Sequence, residues 1–216
     1  MLELLSETSA SVGRILCLGA HCDDIEIGCG GTLLKLLEAR PGVHVDWVVL
    51  SSDEQREAEA QAGARAFLAS AGEANVVVKR FRQRFFPYVP EIKEFFDELG
   101  VTTQPDLVFT HFGGDLHQDH RLLSELAYNT FRDHLILEYE IPKWDGDLGR
   151  PTVYVRLEAT QVDNKVETIW DVFESQRDKH WFSQETFLAL MRLRGIECKA
   201  PSGYAEAFHC RKLVLA

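Results

Sequence analysis

Four short apolar runs alternate with helix-forming stretches through the first 130 residues, and this alternation restricts the fold more than any other feature. The runs cover residues 14–20, 44–50, 75–78 and 107–112. Between and after them, residues 32–40, 54–70, 90–99 and 121–131 carry helical spacing or helix-favouring composition. Strands separated by helices pair in parallel, because a hairpin cannot return the chain in the same direction. The expected architecture is therefore α/β: a Rossmann-like, mostly parallel sheet flanked by helices. Later segments extend it, with a strand at 135–141, a broken stretch at 142–149, a strand at 152–157, helices at 165–173 and 184–193, and a terminal strand at 213–215. Residues 1–12 read as a mobile N-terminal arm, and 13–216 as one domain.

Two of the apolar runs end in unusual chemistry. The first leads into Gly19-Ala20-His21-Cys22-Asp23-Asp24, and the fourth leads into His117-Gln118-Asp119-His120. Residues at the carboxyl ends of parallel strands converge in the crevice outside the sheet, however far apart they lie in sequence. His21, Asp24 and His120 are the expected metal ligands, since two imidazoles, a carboxylate and an open position describe a catalytic zinc centre at the carboxyl ends of the strands. Asp23, adjacent but not needed as a ligand, is placed to take a proton from water. His117 lies three residues before His120, one helical turn away. Asp119 is a candidate to orient an imidazole through its second nitrogen. His111 lies in the strand feeding the second motif, where it can either line the site or, the preferred reading, pack in the core, while His44, His134 and His180 have no comparable context. Cys22 reads as a thiol packed beside the site.

Composition removes several alternatives. The chain has 23 basic and 34 acidic residues, a formal charge of −11, so a nucleic-acid backbone is repelled on average. A single anionic group on a small substrate is still compatible with local arginines and a metal. Five cysteines without a CxxC pair argue against a disulfide framework or a cysteine zinc knuckle and fit a reducing cytoplasm. No basic-flanked apolar leader opens the chain, and no run approaches the roughly 20 apolar residues needed to span a bilayer. A cytoplasmic protein without an integral membrane segment is expected; a homo-oligomer stays open. Gly28-Cys29-Gly30-Gly31 is neither GxGxxG nor a Walker loop and reads as a site of close packing or close substrate approach.

The paired motifs resemble those of the LmbE-like, or PIG-L, metal-dependent deacetylases. Ala20-His21-Cys22-Asp23-Asp24 keeps the AHxDD part of that family's first motif, and His117-Gln118-Asp119-His120 its HxDH. Gly30-Gly31-Thr32-Leu33, Arg56-Glu57-Ala58-Glu59, Ser175-Gln176 and Tyr204-Ala205-Glu206-Ala207-Phe208 are weaker echoes. The resemblance implies Zn²⁺ on His21, Asp24 and His120, with Fe²⁺ or Co²⁺ also able to use such ligands. It implies Asp23 as general base, His117 as oxyanion stabiliser or acid, Asp119 as support for His117, and Arg56 at the substrate. The implied reaction removes acetyl from an N-acetylated amino sugar that is nucleotide-linked, lipid-linked or a glycoside, as in polysaccharide assembly. Cys22 replaces a usual proline, Glu26 stands one place later than the family's Glu, and Asp115 stands where some relatives carry a tyrosine, a change that bears on the oxyanion contact and sugar selection. Trp144, in a loop at 140–150, is a candidate wall for a sugar ring. A metallohydrolase of non-sugar amides or esters, and a non-enzymatic metal-binding module, are the competing readings; structural zinc sites usually close with four protein ligands, which favours an enzyme.

Overall fold

A computed structural model describes residues 12–214. It contains a single seven-stranded sheet in the order β3-β2-β1-β4-β5-β7-β6. The strands are β1 (Arg14–Gly19), β2 (His44–Val49), β3 (Glu73–Val78), β4 (Leu107–His111), β5 (Leu135–Tyr139), β6 (Val153–Leu157) and β7 (Tyr204–His209). The first five pair in parallel, and β7 runs antiparallel to both β5 and β6. Helices α1 (Asp24–Ala39), α2 (Glu54–Phe67), α3 (Pro90–Thr102), α4 (Gln118–Thr130), α5 (Ala159–Val172) and α6 (Gln184–Glu197) cover the sheet. The mostly parallel α/β architecture expected from the alternation is present.

Both faces of the sheet are buried, as parallel sheets require. Along β1, Ile15 and Cys17 join the core shared with α1, α2, α5 and α6, while Leu16 and Leu18 join the core beneath α3 and α4. Chain direction reverses its course across the sheet between β1 and β4, which are paired neighbours although 87 residues intervene between them. That switch point opens a crevice at their carboxyl ends. Both histidine-aspartate motifs emerge there.

Helix α1 is fitted closely into this frame. A Cβ at Gly28 would stand 2.2 Å from the Tyr139 ring. Its absence lets Tyr139 cross beneath the helix and donate its hydroxyl to the Leu18 carbonyl at 2.6 Å. The glycine stretch thus serves packing. Gly28→Ala should lower stability by about 1–3 kcal/mol, the usual cost of overpacking, readable as a drop in the denaturant midpoint with unchanged m-value.

Further along α1, the buried pair Lys165 and Glu206 meets at 2.6 Å. Lys165 donates to the Ile27 carbonyl at 2.6 Å, and Glu206 accepts from Gly31 N–H at 2.8 Å and Thr32 N–H at 2.7 Å. Ile27 C=O and Gly31 N–H are the groups a regular helix joins to each other. An ion pair from α5 and β7 is therefore bonded to backbone groups in the middle of α1.

Two sequence expectations are corrected or fall outside the structure. The last strand is Tyr204–His209, not 213–215: Leu213 and Val214 are in no strand and are exposed, and residue 215 lies outside the described residues. The real strand pairs on both sides, whereas its alanines and glutamate disguise it, being poor strand formers. The arm expected at 1–12 lies outside the described residues except for Val12, which is packed in the core. Among the described residues, no helix is long and apolar enough to cross a membrane.

Candidate metal centre and active site

Three donor atoms meet at the switch point. His21 follows β1, Asp24 opens α1, and His120 lies in the first turn of α4. His21 Nδ1 is 3.1 Å from His120 Nε2 and 3.3 Å from Asp24 Oδ2, and His120 Nε2 is 3.7 Å from Asp24 Oδ2. Donors about 2.0–2.1 Å from a tetrahedral zinc stand roughly 3.3 Å apart, so these spacings fit three corners of such a site.

The outer nitrogens explain why the inner ones face each other. His120 Nδ1 is 2.9 Å from Asp115 Oδ2, and His21 Nε2 is 3.3 Å from Asp119 Oδ2. A carboxylate behind each ring fixes the proton on the outer nitrogen and turns a lone pair inward. Either a proton on His21 Nδ1, shared with His120 Nε2 and Asp24, or a divalent cation among the three donors balances this cluster. Burial opposes charge on His21, but Asp24, Asp119 and Asp23 outweigh it and hold the imidazole up at about 9. Burial, with His111 beside it, pushes His120 down to about 3 and keeps it neutral. Asp24 is desolvated, yet His120, His111 and His21 hold it well below the usual carboxylate range. The pocket favours a cation, and the donor set fits a divalent metal.

Other histidines crowd this centre. The His21, His117 and His120 ligand atoms lie within 4.8 Å of one another, as do those of Asp24, His111 and His120. His111, expected in the core, is indeed fully buried, but its Nε2 is 3.2 Å from Asp24 Oδ2 and its ring stacks on His120 at 3.9 Å. Its position as the last residue of β4, beside β1, is the signal that marks it. His117 caps α4, and its Nδ1 accepts from Asp119 N–H at 3.3 Å. In the neutral ring the proton then sits on Nε2. Burial and the neighbouring His21 lower the pKa of His117, which favours that neutral form.

Asp23 stands next to this group. Its Oδ1 accepts from Arg56 Nη2 at 2.9 Å, while its Oδ2 is buried without a partner. Arg56, expected at the substrate, is thus committed to Asp23 and is itself largely buried. Two further expectations shift in role. The carboxylate of Asp119 turns to His21, and to Arg84 N–H at 2.6 Å, so its contact with His117 is made by its backbone alone. Asp115, expected to face substrate, lies buried behind His120 and also accepts from His117 N–H at 2.8 Å. Lys143, which no sequence pattern indicated, lies 2.9 Å from the same Asp115 oxygen and 2.5 Å from Asp147. Trp144 is 72% exposed on the loop between β5 and β6, with its ring 5.8 Å from that of His180. Cys22 donates to the Ser51 carbonyl at 3.2 Å, and burial pushes its thiol far up, which leaves it unreactive.

Asp115→Asn should weaken zinc binding about 10–100-fold, the usual cost of losing a carboxylate behind a ligating histidine. Competition with a chromophoric chelator reads this directly.

The family model described as GlcNAc-PI de-N-acetylase, PIG-L, matches residues 16–131. The chain belongs to this family. Both motifs and all three converging donors lie within the matched span. Solved structures superpose over most of the chain. The N,N'-diacetylchitobiose deacetylase of Pyrococcus horikoshii superposes with a TM-score of 0.72 at 23% identity, covering 92% of this chain and 83% of that one. A teicoplanin deacetylase, solved in a zinc-inhibited form, gives 0.71 at 13% identity over 91% of this chain and 97% of that one. The 4-carboxy-2-hydroxymuconate hydratase GalB of Pseudomonas putida gives 0.72 at 19% identity over 94% and 98%. At these identities the likenesses establish the fold, and the hydratase illustrates that one fold carries more than one reaction. No curated protein sequence matches significantly.

Proposed function

We propose that this PIG-L family member is a zinc-dependent N-deacetylase that hydrolyses the acetamido group of an N-acetylated amino sugar, releasing acetate and the free amine. The observation that carries this reading is the convergence of His21, Asp24 and His120 beside an Asp23 whose second oxygen has no partner. A zinc ion held by those three residues would polarise the acetyl carbonyl and bring the pKa of water to about 7.

The chain's own groups supply the proton traffic. Arg56 occupies Asp23 Oδ1 and leaves Oδ2 as the oxygen that accepts the proton of attacking water. As the carbonyl carbon becomes tetrahedral, negative charge develops on its oxygen. His117, with Nδ1 committed to Asp119 N–H, directs its Nε2–H to that charge. When the C–N bond breaks, the proton held by Asp23 passes to the departing nitrogen, giving the amine; the hydroxyl stays on the acyl carbon, giving acetate. Arg56, Asp115 and Asp119 then act by positioning. Trp144 offers an exposed aromatic face to the sugar ring, and a nucleotide-linked or lipid-linked N-acetyl sugar of cytoplasmic polysaccharide assembly is the substrate class we assign first.

The test is acetate release by metal-analysed protein from a panel of N-acetyl sugars, nucleotide-linked sugars, glycosides and simple amides, with His120→Ala protein alongside. Loading with Zn²⁺, Fe²⁺ or Co²⁺ identifies the metal that supports turnover. Release from sugars alone, by the parent alone, supports the proposal. Full metal occupancy with release only from simple amides would overturn the sugar assignment.

A further inference from the structure

The segment after α5 links α2 to the loop between β5 and β6. Its 3₁₀ turn, Glu174–Gln176, is anchored to α2: Ser175 N–H donates to Glu59 at 2.9 Å and its hydroxyl at 2.5 Å. Glu59 lies one helical turn beyond Arg56, which holds Asp23. Lys179 N–H then bonds the Gln176 carbonyl at 2.9 Å, and the next residue, His180, meets Trp144 of the facing loop. Lys179 is therefore carried between the helix of the base and the loop proposed to hold the sugar.

Arg84 enters from another side. Its N–H reaches the Asp119 carboxylate that backs His21, and its carbonyl accepts from Gln118 at 3.5 Å. Holding it there puts a non-glycine residue at φ 68°, in the left-handed region that bulky residues rarely occupy. Its side chain is exposed.

Neither cation has an anionic partner among the described residues. Among the described residues, neither the Lys179 ammonium nor the Arg84 guanidinium makes a hydrogen bond or ion pair; the ammonium lies over the Trp181 ring, 5.4 Å from its centroid. Arg82, by contrast, packs its guanidinium on Phe85 at 3.6 Å. Burial lowers the pKa of Lys179, while the charges of Asp23, Asp24 and Arg84 all act on it, in keeping with its place over the centre. In a chain with 34 acidic and 23 basic residues, two unpaired cations beside the catalytic carboxylates stand out. Asp23 is already taken by Arg56, and Asp24 faces the metal position.

We infer that Lys179 and Arg84 form a receptor for an anionic substituent, phosphate or carboxylate, carried by the amino-sugar substrate. The inference rests on the deacetylase reading above and narrows it. Neutral glycosides would fill the Trp144 side of the mouth but leave both cations without a counter-charge. Charged hydrogen bonds of this kind are individually worth about tenfold in affinity.

Calorimetric titration tests this directly. Zinc-loaded Asp23→Asn protein, blocked in turnover, is titrated with N-acetylglucosamine 1-phosphate, N-acetylmuramic acid and neutral methyl N-acetylglucosaminide. Acetate release by the parent is measured in parallel. At least one anion should bind about tenfold or more tightly than the neutral sugar, and which one distinguishes phosphate from carboxylate. Lys179→Met and Arg84→Gln should each cut that preference severalfold, Lys179→Arg should restore it, and added salt should weaken it. Equal affinity for all three sugars, or a preference untouched by both variants, would overturn the receptor. So would an equal loss for neutral and anionic sugars, since that would mark Lys179 and Arg84 as general supports. An intact, variant-sensitive preference without any acetate release would sustain the receptor and remove the deacetylase reading.

Discussion

Asp23→Asn should lower kcat by about 10²–10⁴-fold, the range associated with a positioned general base, while bound zinc stays stoichiometric. The substitution keeps shape and leaves an oxygen for Arg56, but an amide cannot take the proton that Asp23 Oδ2 is free to accept. The three donors are untouched, so metal content by mass spectrometry should match the parent. Turnover within tenfold of the parent at full zinc occupancy would remove Asp23 from the mechanism. Loss of zinc together with turnover would instead make Asp23 a support of the metal pocket.

Lys165→Met carries the largest expected effect on stability, a loss of about 3–5 kcal/mol from stranding a buried carboxylate. Glu206 would keep its two N–H donors from Gly31 and Thr32 but lose its counter-charge, and the Ile27 carbonyl would lose its donor. Chemical denaturation measures this. Adding Glu206→Gln should recover part of the loss, because the uncompensated charge disappears with it. A single variant within 1 kcal/mol of the parent would show that water reaches the pair and that α1 does not depend on it.

The architecture was legible because it rests on local signals. Apolar runs such as those around Leu16 and Val108 bury both sheet faces, and their alternation with helices leaves a parallel sheet as the solution. The motifs' placement after β1 and β4 followed from the same reading. What stayed hidden depends on contacts between distant segments. His111 looks like core in sequence and is buried in fact, yet it packs on His120 because β4 lies beside β1. Arg56, which the resemblance places at the substrate, instead holds Asp23, a contact that only the fold makes. Asp115 lies in the loop before α4 and Asp119 in its first turn, and only the folded path between β4 and α4 decides which carboxylate backs which histidine. Strand β7 was concealed by alanine and glutamate, residues whose burial there is set by partners from α1 and α5.

Lys143 gives the loop between β5 and β6 a direct grip on the candidate metal centre. Its ammonium shares one Asp115 oxygen with His120, and Asp147 of the same loop accepts from both Lys143 and Leu116 N–H. Anyone exchanging this loop to redirect the enzyme would therefore also be altering the charge balance behind a ligand. A graft from a relative would have to bring its own cation for Asp115, or be accompanied by a neutral residue at that position. On this geometry, a loop change that alters selectivity is expected to alter metal retention as well, through Lys143 and Asp115.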